Sequence, residues 1–277
     1  MSDLYTKVNQ SVKLLKTVAK TIDGPIELCY SGGKDSDVIL RLAQMAGINY
    51  RAIYKNTTID PPGTIKHCRD NGAEIVQPKR TFFQLLELYG NPSRFCRFCC
   101  SELKEYKIMD NAIQGIRKSE SIKRAALYKE PVMCRIYKNK AHVNQILPIL
   151  EWRDCDVSEF IQVEGIKCHP LYYDDGKFNV RCRVGCIGCV LASQRKRREQ
   201  FIQYPKILKA WIEHYNVYYQ KQKLKGKGKT IEKFKDAYEV FLFVLFFNNM
   251  KDFSINRNLF GKESAKELLE DYFKIDL

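Results

Sequence analysis

Six residues, Ser31-Gly32-Gly33-Lys34-Asp35-Ser36, put hydroxyls, a cation and two glycines into one short run. Before them, Ile26 to Tyr30 is a brief apolar stretch. After them, Val38, Ile39, Leu42, Ala43 and Ala46 fall on one face of a helix. The order is strand, tight turn, helix. Two glycines let the backbone turn where a Cβ would clash. The helix that opens there points its free N–H groups and positive dipole end into the turn, and phosphate is the natural occupant. Lys34 adds a mobile cation, and Ser31 and Ser36 add hydroxyl donors. The spacing is not that of a Walker A loop, G-x-x-x-x-G-K-[ST]. The competing reading is an ordinary strand–helix turn that carries Gly-Gly.

Cysteine is the second chemical signal. Cys96, Cys99 and Cys100 lie within five residues, flanked by Arg94, Arg97 and Lys104. Far along the chain, Cys186 and Cys189 form a Cys-x-x-Cys turn shaped by Gly185 and Gly188. Adjacent cysteines resist pairing with each other as a disulfide. Cys99, Cys100, Cys186 and Cys189 could close a tetrahedral zinc site or a [4Fe–4S] cluster. Cys96 offers a second way to supply the first half, or serves as a spare thiol or fifth ligand. The alternative for any cysteine is a small buried hydrophobe, and that reading is taken for Cys29, Cys68, Cys134, Cys155, Cys168 and Cys182.

These residues need a scaffold. Residues 1–23 read as a helix stopped by Asp23-Gly24-Pro25. Tyr50 to Tyr54 alternates as a second strand and runs into the polar stretch Lys55-Asn56-Thr57-Thr58-Ile59-Asp60-Pro61-Pro62. At the carboxyl end of a strand in an α/β sheet, such a stretch can grip a ribose or base; on spacing alone it reads equally as a plain loop. A third strand fits Ala73 to Val76, and Thr81 to Leu88 reads as helix. Lys104 to Ile113 is expected to be helical. Gln114 to Arg124 looks like a strand end opening a basic helix, with Arg117, Lys123 and Arg124 suited to phosphate or sulfate oxygens. Another strand is expected at Ile146 to Leu150, a helix from Trp152 to Ile161, and one long helix from Arg195 to about Tyr219. Alternating strands and helices predict an α/β, doubly wound, mostly parallel sheet. The run Lys221 to Lys229 reads as a basic linker or surface loop. It divides an expected domain, 1–219, from an expected helical region, 220–277. Phe241 to Phe247 is too short to span a membrane and reads as a buried helix, a place where an oligomer could form.

The 277 residues are 45% hydrophobic, enough for a packed core, which excludes global disorder. The absence of a long apolar run and of a signal-peptide layout gives the expectation of a cytoplasmic protein without a membrane partner. Eleven cysteines in that compartment point to metal ligation or redox chemistry rather than disulfides. The net charge of +15 favours polyanions, whether nucleotides, nucleic acid or membrane surfaces.

The loop Ser31–Ser36 resembles that of the PP-loop (SGGxDS) ATP pyrophosphatases. From about 26 to 215 the chain resembles the phosphoadenosine phosphosulfate (PAPS) and adenylyl sulfate (APS) reductase family. The carriers are Asn56–Pro62, Cys99-Cys100-x-x-Leu103-Lys104, Gly115-Ile116-Arg117 with Ser121 and Arg124, Pro148-Ile149 with Trp152, Pro170-Leu171-Tyr172, and Arg183-x-Gly185-Cys186-x-x-Cys189. The resemblance implies that Ser31, Gly32, Gly33, Lys34, Asp35, Ser36, Asn56, Thr57, Thr58, Arg117 and Lys123 contact ATP or APS/PAPS. It further implies Lys34, Asp35, Arg117 and Arg124 as the catalytic set, with Asp35 placing Mg²⁺ or capping the helix. It implies a [4Fe–4S] cluster on the four cysteines. The reductases carry a nucleophilic cysteine near the C-terminus, whereas Cys189 is the last cysteine of these 277 residues. The expectation therefore moves toward relatives of DNA phosphorothioation and tRNA thiolation. Their chemistry is ATP-dependent activation of DNA or tRNA, release of pyrophosphate, and sulfur delivery from a sulfur or thiol donor protein. An APS/PAPS reductase using an external thiol and a nucleotide-gated DNA-binding regulator are the alternatives.

Overall fold

The strand before the glycine loop is four residues long and lies inside its sheet. Its apolar residues face a core on one side, and a buried polar network occupies the other. The computed structural model describes residues 3–137, 140–226, 232–259 and 264–277. Along the chain the elements are α1 (Asp3–Ala19), β1 (Ile26–Cys29), α2 (Lys34–Ala46), β2 (Tyr50–Lys55), α3 (Thr64–Asp70), β3 (Glu74–Val76) and α4 (Phe82–Tyr89). Then follow β4 (Asn111–Ile113), α5 (Ile122–Leu127), β5 (Val132–Tyr137), β6 (Lys140–Ile146), α6 (Asp154–Val163), and a small hairpin of β7 (Tyr173–Asp174) and β8 (Lys177–Phe178). The remainder is helical: α7 (Gln194–Gln203), α8 (Pro205–Leu224), α9 (Ala237–Phe246), α10 (Met250–Leu259) and α11 (Ala265–Phe273).

These elements form two units, each assembled from separate stretches of chain. The first comprises Met1–Asn56, Asp60–Pro78 and Ser101–Gly185; the second comprises Thr57–Ile59, Lys79–Cys100 and Cys186–Leu277. The first holds the six-stranded sheet, in the order β3-β2-β1-β4-β6-β5. β1 pairs parallel with β2 (Ile26 opposite Tyr50) and with β4 (Glu27 opposite Ala112), and β4 pairs parallel with β6. Only β5 runs antiparallel, against β6. This is the α/β, mostly parallel sheet that the alternating pattern predicts. The chain leaves β1 toward β2 on one side and later fills the other side with β4, so the sheet reverses its order between β1 and β4. Ligands of open α/β sheets bind at the carboxyl ends of such a pair. The glycine loop follows β1, and Gln114-Gly115-Ile116-Arg117 follows β4.

The core packs Ile26 and Leu28 of β1 with Val38, Ile39, Leu42 and Ala43 of α2, Leu4, Val8 and Leu15 of α1, and Trp152, Val157 and Phe160 around α6. On the opposite face of β1, Glu27 is fully buried. Its carboxylate lies 2.7 Å from Lys55 Nζ and accepts the Met109 N–H at 2.8 Å. In the second unit, α4 and α8 meet through Phe82 and Trp211, whose rings are 4.6 Å apart edge to face. α9 buries Val240, Phe241, Leu242 and Leu245, the apolar run expected to be an internal helix.

Several local expectations are corrected. Lys104–Ile113 is not a helix; a single wide turn, Cys100–Lys104, leads to β4. The strand expected to reach Leu150 stops at Ile146, because Pro148 cannot donate to a ladder; Leu147–Leu150 is a turn closed by Leu150 N to Leu147 O at 3.2 Å. The helix near Trp152 begins at Asp154, where the Asp156 carboxylate accepts the Arg153 N–H at 2.6 Å. The single helix expected over 195–219 is two, broken at Tyr204 because Pro205 lacks the N–H to continue the ladder and opens α8 instead. α8 continues to Leu224, so Lys221 and Lys223 are helical; Lys227, Gly228 and Lys229 lie outside the described residues. No helix among the described residues is long and apolar enough to cross a membrane.

Candidate functional site

The first site is the glycine loop. Gly32 takes φ +70°, and a Cβ there would press on Cys68 Sγ at 3.1 Å and Thr64 Cγ2 at 3.2 Å, so the turn demands glycine on both counts. α2 opens at Lys34 with Gly33 as its N-cap and no side-chain cap. The Lys34 N–H instead donates to Tyr172 Oη at 3.1 Å, and the Lys34 ammonium stands 5.5 Å over the same ring. Burial pushes the Tyr172 hydroxyl up to about 12, so it stays a neutral partner at physiological pH. Ser36 Oγ donates to Gly33 O at 2.6 Å and lies 3.3 Å from Ser31 Oγ. Helix capping, one of two roles expected of Asp35, is not what its side chain does. Its carboxylate lies 3.4 Å from Lys34 Nζ and accepts Arg117 Nε at 2.7 Å.

Arg117 is the densest part of this site. It is only 2% exposed, and each of its three guanidinium nitrogens has a partner: Nε on Asp35, Nη2 on Asp154 at 2.8 Å and Nη1 on Ser119 Oγ at 3.1 Å. Gly115 makes this approach possible, since a Cβ there would lie 2.9 Å from the Asp35 carbonyl oxygen. Arg124 pairs with Glu120, which also takes Arg183 Nη2 at 2.7 Å. The Arg124 guanidinium is held below its ordinary pKa by burial first, then by the positive charge of Arg183 and, less, of Arg117. Three arginines thus gather with three carboxylates, Asp35, Asp154 and Glu120, in one ion-pair network. Lys123 is exposed on α5.

A buried clasp lies behind the loop. Tyr30 Oη donates to Asp37, and His67 Nε2 is 3.1 Å from the same carboxylate oxygen. Sequence reasoning did not single out Asp37, His67 or Arg183 as site residues. Arg183 had a signal, since it stands in the run before Cys186; Asp37 and His67 had none, because 30 residues separate them. Of the expected nucleotide loop, Asn56 Nδ2 donates to Gln77 at 2.8 Å. Thr57 and Thr58 belong to the second unit. There Thr57 Oγ1 is 3.5 Å from Cys186 Sγ and Thr58 Oγ1 accepts the Phe82 N–H that opens α4, at 2.9 Å.

The second site is the cysteine cluster, and all of it lies in the second unit. The Cys99 thiol is held far above the ordinary thiol range, first by its hydrogen bond with Cys100, then by burial, then by negative charge on Cys100, Cys186 and Cys189. A thiol held protonated among neighbouring thiols belongs to a donor set that a thiophilic cation would suit. Among the described residues, no group of three or more His, Cys, Asp or Glu side chains is already placed to hold a metal ion. Cys96 is exposed, whereas Cys99, Cys100, Cys186 and Cys189 are half-buried. Arg197 is buried near Cys189; burial drives its guanidinium down to about 10 while the Cys189 charge pulls it back up.

Gly188 gives the Cys186–Cys189 turn its shape. It has φ +70°, and a Cβ would sit 2.5 Å from both Phe201 Cζ and Trp211 Cζ3. Gly188→Ala is therefore expected to cost about 2–4 kcal/mol, combining left-handed strain with overpacking. Urea unfolding of the variant checks this, and a midpoint equal to the parent's would contradict it.

Thiol reactivity should divide along burial. The Cys29 thiol is pushed up to about 12 by burial and by Glu27, and the Cys68 thiol to about 12 by burial and by Asp37. At pH 8 each is thiolate in roughly one molecule in ten thousand. Exposed Cys96, Cys134 and Cys155 are expected to take iodoacetamide first, with Cys29 and Cys68 reacting only after denaturation. Peptide mass mapping over time reads the order, and equal rates for Cys29 and Cys96 would refute it.

The family model described as "Phosphoadenosine phosphosulfate reductase domain" matches residues 25–195. The chain belongs to this family. The match takes in the loop after β1, the Gly115–Arg117 segment and all five clustered cysteines. An uncharacterized protein of Methanocaldococcus jannaschii is 27% identical to this PAPS reductase-family chain over 253 residues, 82% of the chain. The chain spans about half the length of that relative, 50%. Sulfate adenylyltransferase subunit 2 of Shewanella sp. (strain ANA-3) is 26% identical over 212 residues, 62% of this chain and 68% of that protein. A tRNA thiolase of Methanococcus maripaludis, solved with its [4Fe–4S] cluster, aligns at 16% identity over 81% of this chain and 82% of that one, with a TM-score of 0.41.

Proposed function

We propose that this PP-loop protein uses ATP to activate a nucleic acid, DNA or tRNA, and then transfers sulfur to the activated position. The observation that carries the activation step is the clamped Arg117–Asp35 pair at the start of α2. It places a fixed cation and a carboxylate where the helix N-terminus already favours phosphate. In this reading, backbone N–H groups of Gly32 and Gly33, with Ser31, Lys34 and Ser36, hold the pyrophosphate that leaves. Asp35 positions Mg²⁺. Arg117, Lys123 and Arg124 offset charge that develops at phosphorus, the usual work of preorganised cations in phosphoryl transfer. Asn56 borders the nucleotide.

Cys99, Cys100, Cys186 and Cys189 would hold a [4Fe–4S] cluster or, failing that, zinc. When bound, such a centre supplies a site for sulfur or electrons. A nucleic-acid acceptor agrees with the charge distribution: residues 191–229 contain eleven basic and two acidic residues, a density suited to a polyanion. A protein that donates sulfur or a thiol completes the partners.

The description of the matched family favours a second reading, an APS or PAPS reductase that takes its thiol from outside. One experiment separates the two. The full chain, purified without oxygen, is given either ATP with tRNA or DNA and a sulfide source, or APS and PAPS with a dithiol. Exchange of one oxygen for sulfur in the nucleic acid, read by mass spectrometry of its nucleosides and dinucleotides, supports the first. Sulfite release without sulfur in nucleic acid replaces it with the second.

A further inference from the structure

We infer that Phe95 is a stacking platform for an unpaired base, presenting single-stranded nucleic acid beside the cysteine cluster. This rests on the nucleic-acid reading above and specifies the form of the substrate. Phe95 is 102% exposed, as open to water as a ring can be. Isolated exposed apolar residues are common, but this one stands in a built setting. Ser93 through Arg97 are all exposed, and the tip is closed as a turn: Ser93 N donates to Cys96 O at 3.0 Å, and Cys96 N donates to Ser93 Oγ at 3.0 Å. Both ends of the tip are anchored. Pro92 is buried before it, and Phe98 is buried after it with its ring 5.1 Å from Tyr89. The ring is thus held out on a fixed turn.

Arg94 and Arg97 flank Phe95 and supply charge for phosphates on either side of a stacked base. Arg94 Nε also reaches back to the Val190 carbonyl at 3.4 Å, beside Cys189. Cys99 follows the tip by two residues after Arg97. Alternating arginine and aromatic residues are how proteins hold single strands: the base stacks, and the backbone follows the cations. In a duplex the base faces are already stacked on their neighbours, so a lone ring on a turn gains nothing from them.

The test uses the full chain and a fluorescein-labelled single-stranded RNA of about 12 nucleotides, within the span such sites cover, against a duplex of the same length. Phe95→Ala is expected to weaken single-strand binding about tenfold, leaving duplex binding and the salt slope unchanged. Phe95→Trp is expected to restore binding, and thermal melting should show all variants equally folded. The inference is overturned if Phe95→Ala binds the single strand as the parent does, or weakens strand and duplex alike. Binding by the parent protein of neither RNA, nor of a DNA strand and duplex of the same length, would sink the nucleic-acid reading itself, a result distinct from normal binding by Phe95→Ala.

Discussion

Arg117→Ala is expected to lower the rate of ATP–pyrophosphate exchange by about 10²–10³-fold, the usual loss when one preorganised charge is removed from a phosphoryl or acyl site. Its geometry explains why the effect should be large. The guanidinium is buried and binds Asp35 and Asp154 together. Without it, the Asp35 carboxylate would face the incoming phosphates from the first turn of α2, with the Lys34 ammonium 3.4 Å away to offset it. The variant thus loses an attractive charge and exposes a repulsive one. Arg117→Lys keeps the charge but cannot span both carboxylates with a planar fork, so it should recover only part of the rate. Asp35→Asn in the Arg117→Ala background should regain some nucleotide affinity, because the unpaired negative charge has gone. Steady-state exchange with ATP titrations distinguishes these outcomes. Equal rates for the parent and Arg117→Ala would remove Arg117 from the site.

Cys186→Ser is expected to abolish metal loading, whereas Cys96→Ser should leave it intact. Purified without oxygen, the parent chain should be brown and contain about four iron and four sulfide. The serine variant at Cys186 should be colourless, with less than about one equivalent of either, since a cubane that loses a thiolate ligand is rarely held. The contrast between the two variants is the informative part. Cys99, Cys100, Cys186 and Cys189 are half-buried, and Cys96 is exposed on its turn. Metal analysis and the visible absorption spectrum read the result. A single tightly held zinc would replace the cluster with a structural centre. Full metal content in Cys186→Ser would show that the ligand set is wrong.

What the sequence reveals about the fold follows from local rules. The loop Ser31–Ser36 is legible because strand, glycines and helix adjoin, so the required backbone is written in consecutive residues. The parallel sheet is legible because β1, β2 and β3 alternate with helices. The two cysteine clusters stand out in the sequence because each is dense.

Less legible is whatever depends on distant partners. Arg117 is a recognisable basic residue, but Asp154, its second anchor, lies 37 residues on. The need for Gly115 appears only when the Asp35 carbonyl is seen to press against it. Asp37, Tyr30 and His67 meet because α3 returns beside the loop. Thr57 and Thr58 follow β2 directly, which is why the local pattern reads them as part of a nucleotide loop. Their hydroxyls are engaged with Cys186 and with the start of α4, contacts that no local pattern encodes. The break at Pro205 was written plainly in the sequence and was outweighed by the apolar periodicity on either side.

The central claim is that the loop after β1 activates an acceptor with ATP. Incorporation of labelled pyrophosphate into ATP tests it most directly, measured on the full anaerobic chain with Mg²⁺, alone and with tRNA or DNA. The account predicts exchange that rises severalfold or more with one of these nucleic acids and is lost in Arg117→Ala. A protein that binds ATP but shows no exchange with any acceptor would contradict it.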